Sequence, residues 1–526
     1  MKKNPAASVS TAPLSSPGLP PGLRRYLYLT AAINGGVIMV VEILGAKMLS
    51  PFVGTSHFVW TAQIAVTLVA LACGYYAGGA LVDRSPRLGR LYGAMLVAAV
   101  YLGITIAGCE WVAYQCLKFP LAIGSLLASA ALFFVPLSLL AMTGPFLVRV
   151  LTRAVEDVGG NVGRLTAIST LGSFLGTVAI GYILIPLLPN SVTMYGCAVV
   201  LIALAAGYGF TWGRAQFRPA RLALGVVIGL ALGYLGVRQE QKVAGAQQEL
   251  FRGNSNFGLL QVLQAKDSPR RYYLNDYLVQ NTYDTERQQS VSMFTYMLHG
   301  LAHAYAPRLE DALCIGMGIG IVPRELAREG VRVDAVEINP DVVPLAEKYF
   351  DLDVSRVNLT IADGRLFVRQ CRKHYDAVLL DAFLGDSNPS HLMTREAFAD
   401  VRRVLRPDGV LVINTFADLD SRHDFFGASL YKTLTNVFAS VRIHAAQHGN
   451  TLYVASPDPA LTLRHPPDFA NVHSAAVAQV REAFNNLREP NLAHGRVLTD
   501  DFNPVEVFDA PNRERLRRLL ALAMRP

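Results

Sequence analysis

Seven apolar segments, at about residues 26–49, 58–82, 91–110, 121–143, 165–188, 191–211 and 220–237, limit what the first half of this chain can become. Each is near the roughly 20 residues that an α-helix needs to cross a bilayer, although the last is short. Backbone amides in hydrocarbon must bond within their own segment, so the reading is an all-α multi-pass membrane bundle over residues 25–238. Across all 526 residues, 52% are hydrophobic and 17% charged. That is too apolar for an ordinary soluble enzyme and too varied for a bundle alone, so two unlike domains are expected.

Charge in the loops orients the bundle. Arg84, Arg87 and Arg90 follow the second segment, Arg149, Arg153 and Arg164 the fourth, and Arg214, Arg218 and Arg221 the sixth, while the intervening loops carry almost no Lys or Arg. With Lys2, Lys3, Arg24 and Arg25 on the same side, the positive-inside rule puts the N-terminus in the cytoplasm. Cations spent this way do not point to nucleic acid, despite a formal net charge of +8. Seven crossings would leave the C-terminal domain on the far side, away from a cytosolic cofactor. Either the short seventh segment does not cross, or the substrates lie outside, and the side stays open.

Residues 1–24, rich in Pro, Ser and Ala, read as a disordered tail. Within the first segment, Glu42 is either a ligand or transport group or one partner of an interhelical hydrogen bond, and Lys47 can snorkel to the interface. Gly35–Gly36, Gly74 with Gly78–Gly79, and Gly172 with Gly176 read as close helix packing. The six cysteines show no metal-type spacing and no disulfide framework.

From Arg238 the pattern changes. A linker and amphipathic stretch to about Phe251 leads to short strands near Gly258–Gln264, Arg271–Asn275 and Tyr277–Gln280, a small β-hairpin subdomain within 239–300. Residues 301–526 then alternate strands (Asp311–Ile315, Val331–Glu337, Val357–Ala362, Tyr375–Asp381, Val410–Thr415) with helices (Val322–Glu329, Val342–Phe350, Arg395–Leu405). This implies a parallel sheet covered on both faces, a Rossmann-like α/β domain of the methyltransferase type. Ligands of such sheets sit beyond the carboxyl ends of the strands. There Gly316, Gly318 and Gly320 allow close backbone approach, and Glu337, about 20 residues on, can accept from both ribose hydroxyls. Asp363–Gly364 can meet an adenine amino group, and Asp381 faces the reacting part of the ligand. An adenosine site is favoured over a scaffold with a degenerate pocket.

These residues also carry a resemblance, over roughly 255–510. Ile315–Gly316–Met317–Gly318–Ile319–Gly320 followed by Val322–Pro323–Arg324–Glu325, Val336–Glu337–Ile338, and Tyr375–Asp376 through Asp381 resemble the motifs of the spermidine synthase family of aminopropyltransferases. The run Asp381–Ser387, then Pro389, His391–Leu392 and Thr394–Arg395–Glu396, resembles its membrane-fused branch. The resemblance implies transfer of an aminopropyl group from decarboxylated S-adenosylmethionine, a co-substrate rather than a prosthetic group, to putrescine or a related amine. Spermidine and methylthioadenosine would be the products. It makes Asp381 the proton acceptor and offers Gln280, Asp386 and Tyr296, with Tyr272, Tyr273, Asp276 and Phe294, as walls of the amine pocket. No metal is called for; a bilayer and small-molecule substrates are the partners, and a homo-oligomer is open.

The departures fall on the amine side. Ile319 stands where the family keeps an aspartate, Phe294–Thr295–Tyr296–Met297 replaces its Y-H-E-M, the glutamine of its early strand aligns best with Gly258, and Leu384 replaces the second aspartate of D-S-T-D. Two other readings keep the same fold: a methyltransferase using intact S-adenosylmethionine, and a non-catalytic nucleoside or polyamine sensor gating a transporter-like bundle.

Overall fold

The computed structural model describes residues 19–54, 57–152, 158–216, 219–240, 247–383, 388–420, 423–446 and 450–515. The expected tail up to residue 18, Lys2, Lys3, Arg153, Arg218, Leu384 and Asp386 lie outside the described residues.

Among the described residues, seven helices are long and apolar enough to cross a membrane. They are α1 (Pro21–Val53), α2 (His57–Arg84), α3 (Leu88–Cys116), α4 (Leu121–Leu151), α5 (Val158–Leu187), α6 (Asn190–Thr211) and α7 (Pro219–Glu240). The first starts earlier than expected, because Pro21 sits where a missing N–H costs nothing and its fixed φ already suits a helix. Residues 21–24 therefore belong to α1 rather than to a tail. Its partner is α5, and the glycines are the reason. A Cβ on Gly172 would strike the Ala32 carbonyl, and one on Gly176 would lie 2.5 Å from the Gly36 oxygen. Buried polar groups tie other helices together: the Asn34 amide donates to the Leu140 carbonyl at 3.1 Å, and Thr30 meets the Tyr92 hydroxyl at 2.9 Å. The outside of the bundle is apolar, with Leu68, Leu171, Phe174 and Leu175 each more than 60% exposed.

The expected hairpin is a five-stranded antiparallel sheet, β1 (Gln247–Ser255), β2 (Gly258–Ala265), β3 (Arg270–Asn275), β4 (Leu278–Asp284) and β5 (Gln289–Ser290), in sequential order. The stretch read as a linker to Phe251 is its first strand. Its mixed polar pattern hid it, since β1 is an edge strand with little fully buried surface.

Helix α8 (Met293–Tyr305) leads into the larger sheet. This contains β6 (Asp311–Ile315), β7 (Arg332–Glu337), β8 (Asn358–Ile361), β9 (Tyr375–Leu380), β10 (Leu405–Thr415), β11 (Ser440–Ala445) and β12 (Thr451–Ser456). The order is β11-β12-β10-β9-β6-β7-β8, with β12 antiparallel to both β10 and β11. The remaining pairs are parallel, which is the methyltransferase-type doubly wound arrangement. The chain order reverses between β6 and β9, so the crevice opens at their carboxyl ends. Helices α9 (Ile321–Arg328), α10 (Val343–Phe350), α11 (Gly364–Gln370) and α12 (Arg395–Val404) cover the faces.

The two halves touch at one end of the bundle. Lys47, late in α1, lies 3.6 Å from the Asp276 carboxylate in the β3–β4 turn. The Asn254 amide donates to the Ile185 and Leu188 carbonyls at 2.9 and 2.5 Å, and the Leu121 N–H donates to Glu514 at 2.9 Å. Followed along alternating helices, all three contacts fall at the end opposite the arginine-bearing loops.

Gly172→Val should therefore force α1 and α5 apart and destabilise the bundle by about 1–3 kcal/mol, the usual cost of overpacking. Thermal unfolding of the full chain in detergent would show a lowered Tm, and an unchanged Tm would argue against this helix pair.

Candidate active site

Three strand ends converge because one residue has no side chain. Gly316 follows β6 at φ +87°, and a Cβ there would run into the carbonyl of Asp381 at the end of β9. The Asp381 N–H donates to the Ile315 carbonyl at 2.9 Å and the Gly316 N–H to the Val336 carbonyl at 2.9 Å. Gly318 and Gly320 also take left-handed angles, and Gly320 caps α9.

Glu337, buried at the end of β7, holds this turn in place. Its Oε2 accepts from the Met317 and Gly318 N–H groups at 3.0 and 3.1 Å, and its Oε1 from the Asn339 N–H at 2.8 Å. Asp363 caps α11 through the Leu366 N–H at 2.9 Å and meets His391 Nε2 at 2.9 Å. Burial works against its charge, but those two partners outweigh it and hold its carboxyl below the ordinary range. Asp381 is placed differently. Burial pushes its carboxyl up to about 6; the Asn414 amide, donating at 2.8 Å, pulls the other way, and the nearby Glu337 charge adds to the rise.

One cavity joins these groups. Gly316, Gly318, Glu337, Asp363, Gly364 and Asp381 all line it, as do Gln280, Tyr273 and Phe294 of the expected amine wall. Asp276 and Tyr272 are not among its lining residues; Asp276 faces Lys47 instead. Tyr296 lines a neighbouring cavity and donates to the Ser290 carbonyl at 2.6 Å. Asp386 lies outside the described residues. Residues that the motifs did not single out add to the wall, Asn275, Asn281, Asn414, Asn450 and Phe416, beside Phe383 of the Asp381–Ser387 run. Asn414 is the informative omission. It ends the next strand, so its place beside Asp381 could have been read from strand order alone.

Ile319, the odd residue of the turn, is 2% exposed and packs with Leu260, Val262, Tyr273 and Phe350. It fastens the glycine turn to the smaller sheet, a role an aspartate could not fill.

The charge pattern is asymmetric. At the amino ends of the strands, Asp311 bonds Arg332 at 2.7 Å, Arg406 at 3.0 Å and Lys373 at 3.1 Å, and Asp376 bonds Arg406 at 2.9 Å. Arg332 first, and then Lys373, hold the Asp311 carboxyl far below its ordinary range against the opposing effect of burial. At the carboxyl ends, three carboxylates line the cavity with no Lys or Arg among the described lining residues. Such a cavity favours cations, sulfonium and ammonium alike.

Residues 292–446 match the model of the spermine/spermidine synthase domain. The polyamine aminopropyltransferase of Vibrio vulnificus is 31% identical over 220 residues, which cover 39% of this chain and 71% of that protein. The chain belongs to the polyamine aminopropyltransferase family. An N-terminal histidine N-methyltransferase of Emericella nidulans is 34% identical over 150 residues, 28% of this chain and 26% of that one. A probable spermidine synthase from Corynebacterium glutamicum superposes with a TM-score of 0.37 and 18% identity, covering 50% of this chain and 98% of its own. As an aminopropyltransferase the chain is an enzyme and not only a sensor. Its aminopropyl donor is decarboxylated S-adenosylmethionine, consistent with a cavity whose described lining residues include no Lys or Arg to meet a substrate carboxylate.

The raised Asp381 carboxyl has a cost in stability. Its native pKa of about 6 exceeds the ordinary 3.8, so the native state binds the proton more tightly and ionisation opposes folding. The penalty is absent below pH 3.8 and complete above pH 6. Asp381→Asn, which can still accept from Asn414, should raise Tm near neutral pH and change it little at about pH 4, measured by scanning fluorimetry. An equal shift at both pH values would contradict this account of the aspartate.

Proposed function

We propose that this enzyme is an integral membrane aminopropyltransferase that passes the aminopropyl group of decarboxylated S-adenosylmethionine to putrescine or a related amine. Asp381 is the base. The observation that carries the reading is a carboxylate near its titration point at the carboxyl end of β9, facing a cavity lined by acids and aromatic rings. The attacking amine, with an ordinary pKa of about 10.4, is almost fully protonated at neutral pH and must lose that proton before its nitrogen can displace the sulfonium. An ionised Asp381 takes it. The amine nitrogen then forms the new C–N bond as the C–S bond breaks, and the electron pair stays on the sulfur of methylthioadenosine.

The nucleoside is held at the other end. Glu337 accepts from the ribose hydroxyls, Asp363 and Gly364 face the adenine, and Gly316 and Gly318 let the backbone approach. Gln280 belongs to the acceptor side, where Asn275, Asn281 and the ring pair Phe383–Phe416, 5.0 Å between centroids, surround the incoming amine. Orientation of amine against sulfonium supplies most of the remaining rate.

The bundle spans the bilayer with its N-terminus in the cytoplasm. The apolar outer surface and the arginines gathered at one end support that placement. The catalytic domain meets the opposite end, through Lys47, Leu121, Ile185 and Leu188, which favours seven full crossings and a non-cytoplasmic active site. Donor and acceptor must then be supplied on that side.

Purified full-length protein, offered decarboxylated S-adenosylmethionine with several amines, should form methylthioadenosine and an aminopropylated amine detectable by mass spectrometry. Asp381→Asn should lower turnover at least ~100-fold, within the usual range for loss of a general base, while methylthioadenosine binding stays nearly intact. The wild-type kcat/KM should fall as pH drops through about 6, where the base becomes protonated. Full activity in the variant would remove Asp381 from the role. A reporter fused to the C-terminus, active only outside the cytoplasm, checks the topology separately.

A further inference from the structure

We propose that His299, His303 and Glu329 form a binding site for one divalent metal ion of the zinc class, separate from the aminopropyl-transfer cavity. The site starts with a helical repeat. His299 and His303 are four residues apart on α8, so both rings project from one face, while Met297, Leu298 and Leu301 bury the other in the domain core. Glu329 comes from a different element. It caps the carboxyl end of α9 just before Gly330, whose φ of +89° turns the chain away and leaves the glutamate beside α8.

The three side chains already converge. Nε2 of His299 is 2.9 Å from one oxygen of Glu329, and Nε2 of His303 is 2.7 Å from the other. The ring centroids are 4.6 Å apart, and all three donor atoms lie within 4.8 Å of one another. Around a tetrahedral zinc ion with bonds of about 2.0–2.1 Å, donor atoms stand roughly 3.3 Å apart. Small side-chain rotations therefore suffice, and no backbone movement is required. The carboxylate is also available. Glu325 engages both neighbouring guanidiniums, Arg324 at 2.7 Å and Arg328 at 3.1 Å, leaving the Glu329 charge to the imidazoles. The histidine side chains are 27% and 39% exposed and face the cavity shared with Tyr296, so a fourth position is open to water.

Two imidazoles and one carboxylate suit zinc, cobalt, nickel or copper; magnesium and calcium prefer shells of oxygen. The position gives the ion a consequence. Helix α8 carries Phe294, Thr295 and Leu298 on the wall of the transfer cavity, and α9 begins at the last glycine of the nucleoside turn. A metal bridging them would clamp the amine wall to the nucleoside loop.

The test uses full-length protein purified in detergent without a polyhistidine tag, stripped with chelator and titrated with zinc against a chromophoric competitor. One tight equivalent per chain is expected, with a rise in Tm on addition of zinc. The double variant His299→Gln/His303→Gln keeps amide donors for Glu329 but lacks the imidazole ligands, and it should lose both the equivalent and the Tm response. Should that variant fail to fold, Glu329→Gln must weaken zinc binding instead. Cobalt substitution should give the visible absorption of a low-coordinate site in wild type only. Absence of a tight equivalent in wild type, or its persistence in folded variants, would overturn the proposal.

Discussion

The approach of Gly316 to the Asp381 carbonyl is the contact on which the rest of the site depends. It brings the ends of β6 and β9 together at the point where the chain order of the sheet reverses. Any side chain at Gly316 would push the turn outward and withdraw the N–H groups that Glu337 binds. Glu337 thereby does double duty. It organises the glycine turn, and its charge also raises the carboxyl of Asp381. In the proposed reaction, nucleoside grip and base strength are thus coupled through one buried carboxylate.

Segregation of charge along the strands extends this logic. Carboxylates at the amino ends are saturated by Arg and Lys and serve stability, whereas those at the carboxyl ends meet only amides, backbone N–H groups and one histidine. A buried acid without a cation is costly. Glu337 and Asp381 face one cavity in that condition, a cationic ligand offsets the cost, and the substrates of an aminopropyltransferase are cations.

The smaller sheet is fastened to this centre by a shared apolar cluster and by hydrogen bonds such as Tyr283 to Asp351 and Asn339 to Ser255, and the bundle is joined to it in turn. Ile319 packs the glycine turn against β2 and β3, and the β3–β4 turn meets Lys47 of α1. The left-handed angles of Asp276 and Tyr277, φ +46° and +63°, make that turn tight enough to present the carboxylate to the helix end. Lys47, read from the sequence as a snorkelling cation, thus has a specific partner in the catalytic domain. Glycine packing between α1 and α5 supports the same helix from behind.

Much of this was legible in the sequence because it rests on local pattern. Apolar runs set the seven helices, alternating strand and helix periods set the parallel sheet, and glycines spaced before an acid marked the turn that Glu337 holds at the cavity. What escaped depends on long-range pairing. The edge strand β1 lacks an apolar signature, and Asn450, just before β12, enters the cavity only because β12 pairs with β10, the neighbour of β9. Ile319 reads from the sequence as a departure on the amine side, and only its packing against the smaller sheet shows what it does instead. The sequence by itself determined which strand ends carry acids and which segments are too apolar for water, since both follow from residue type and period. Only the tertiary structure decided which end of the bundle the catalytic domain meets and which acids remain without cations, since both depend on contacts between residues far apart in the chain.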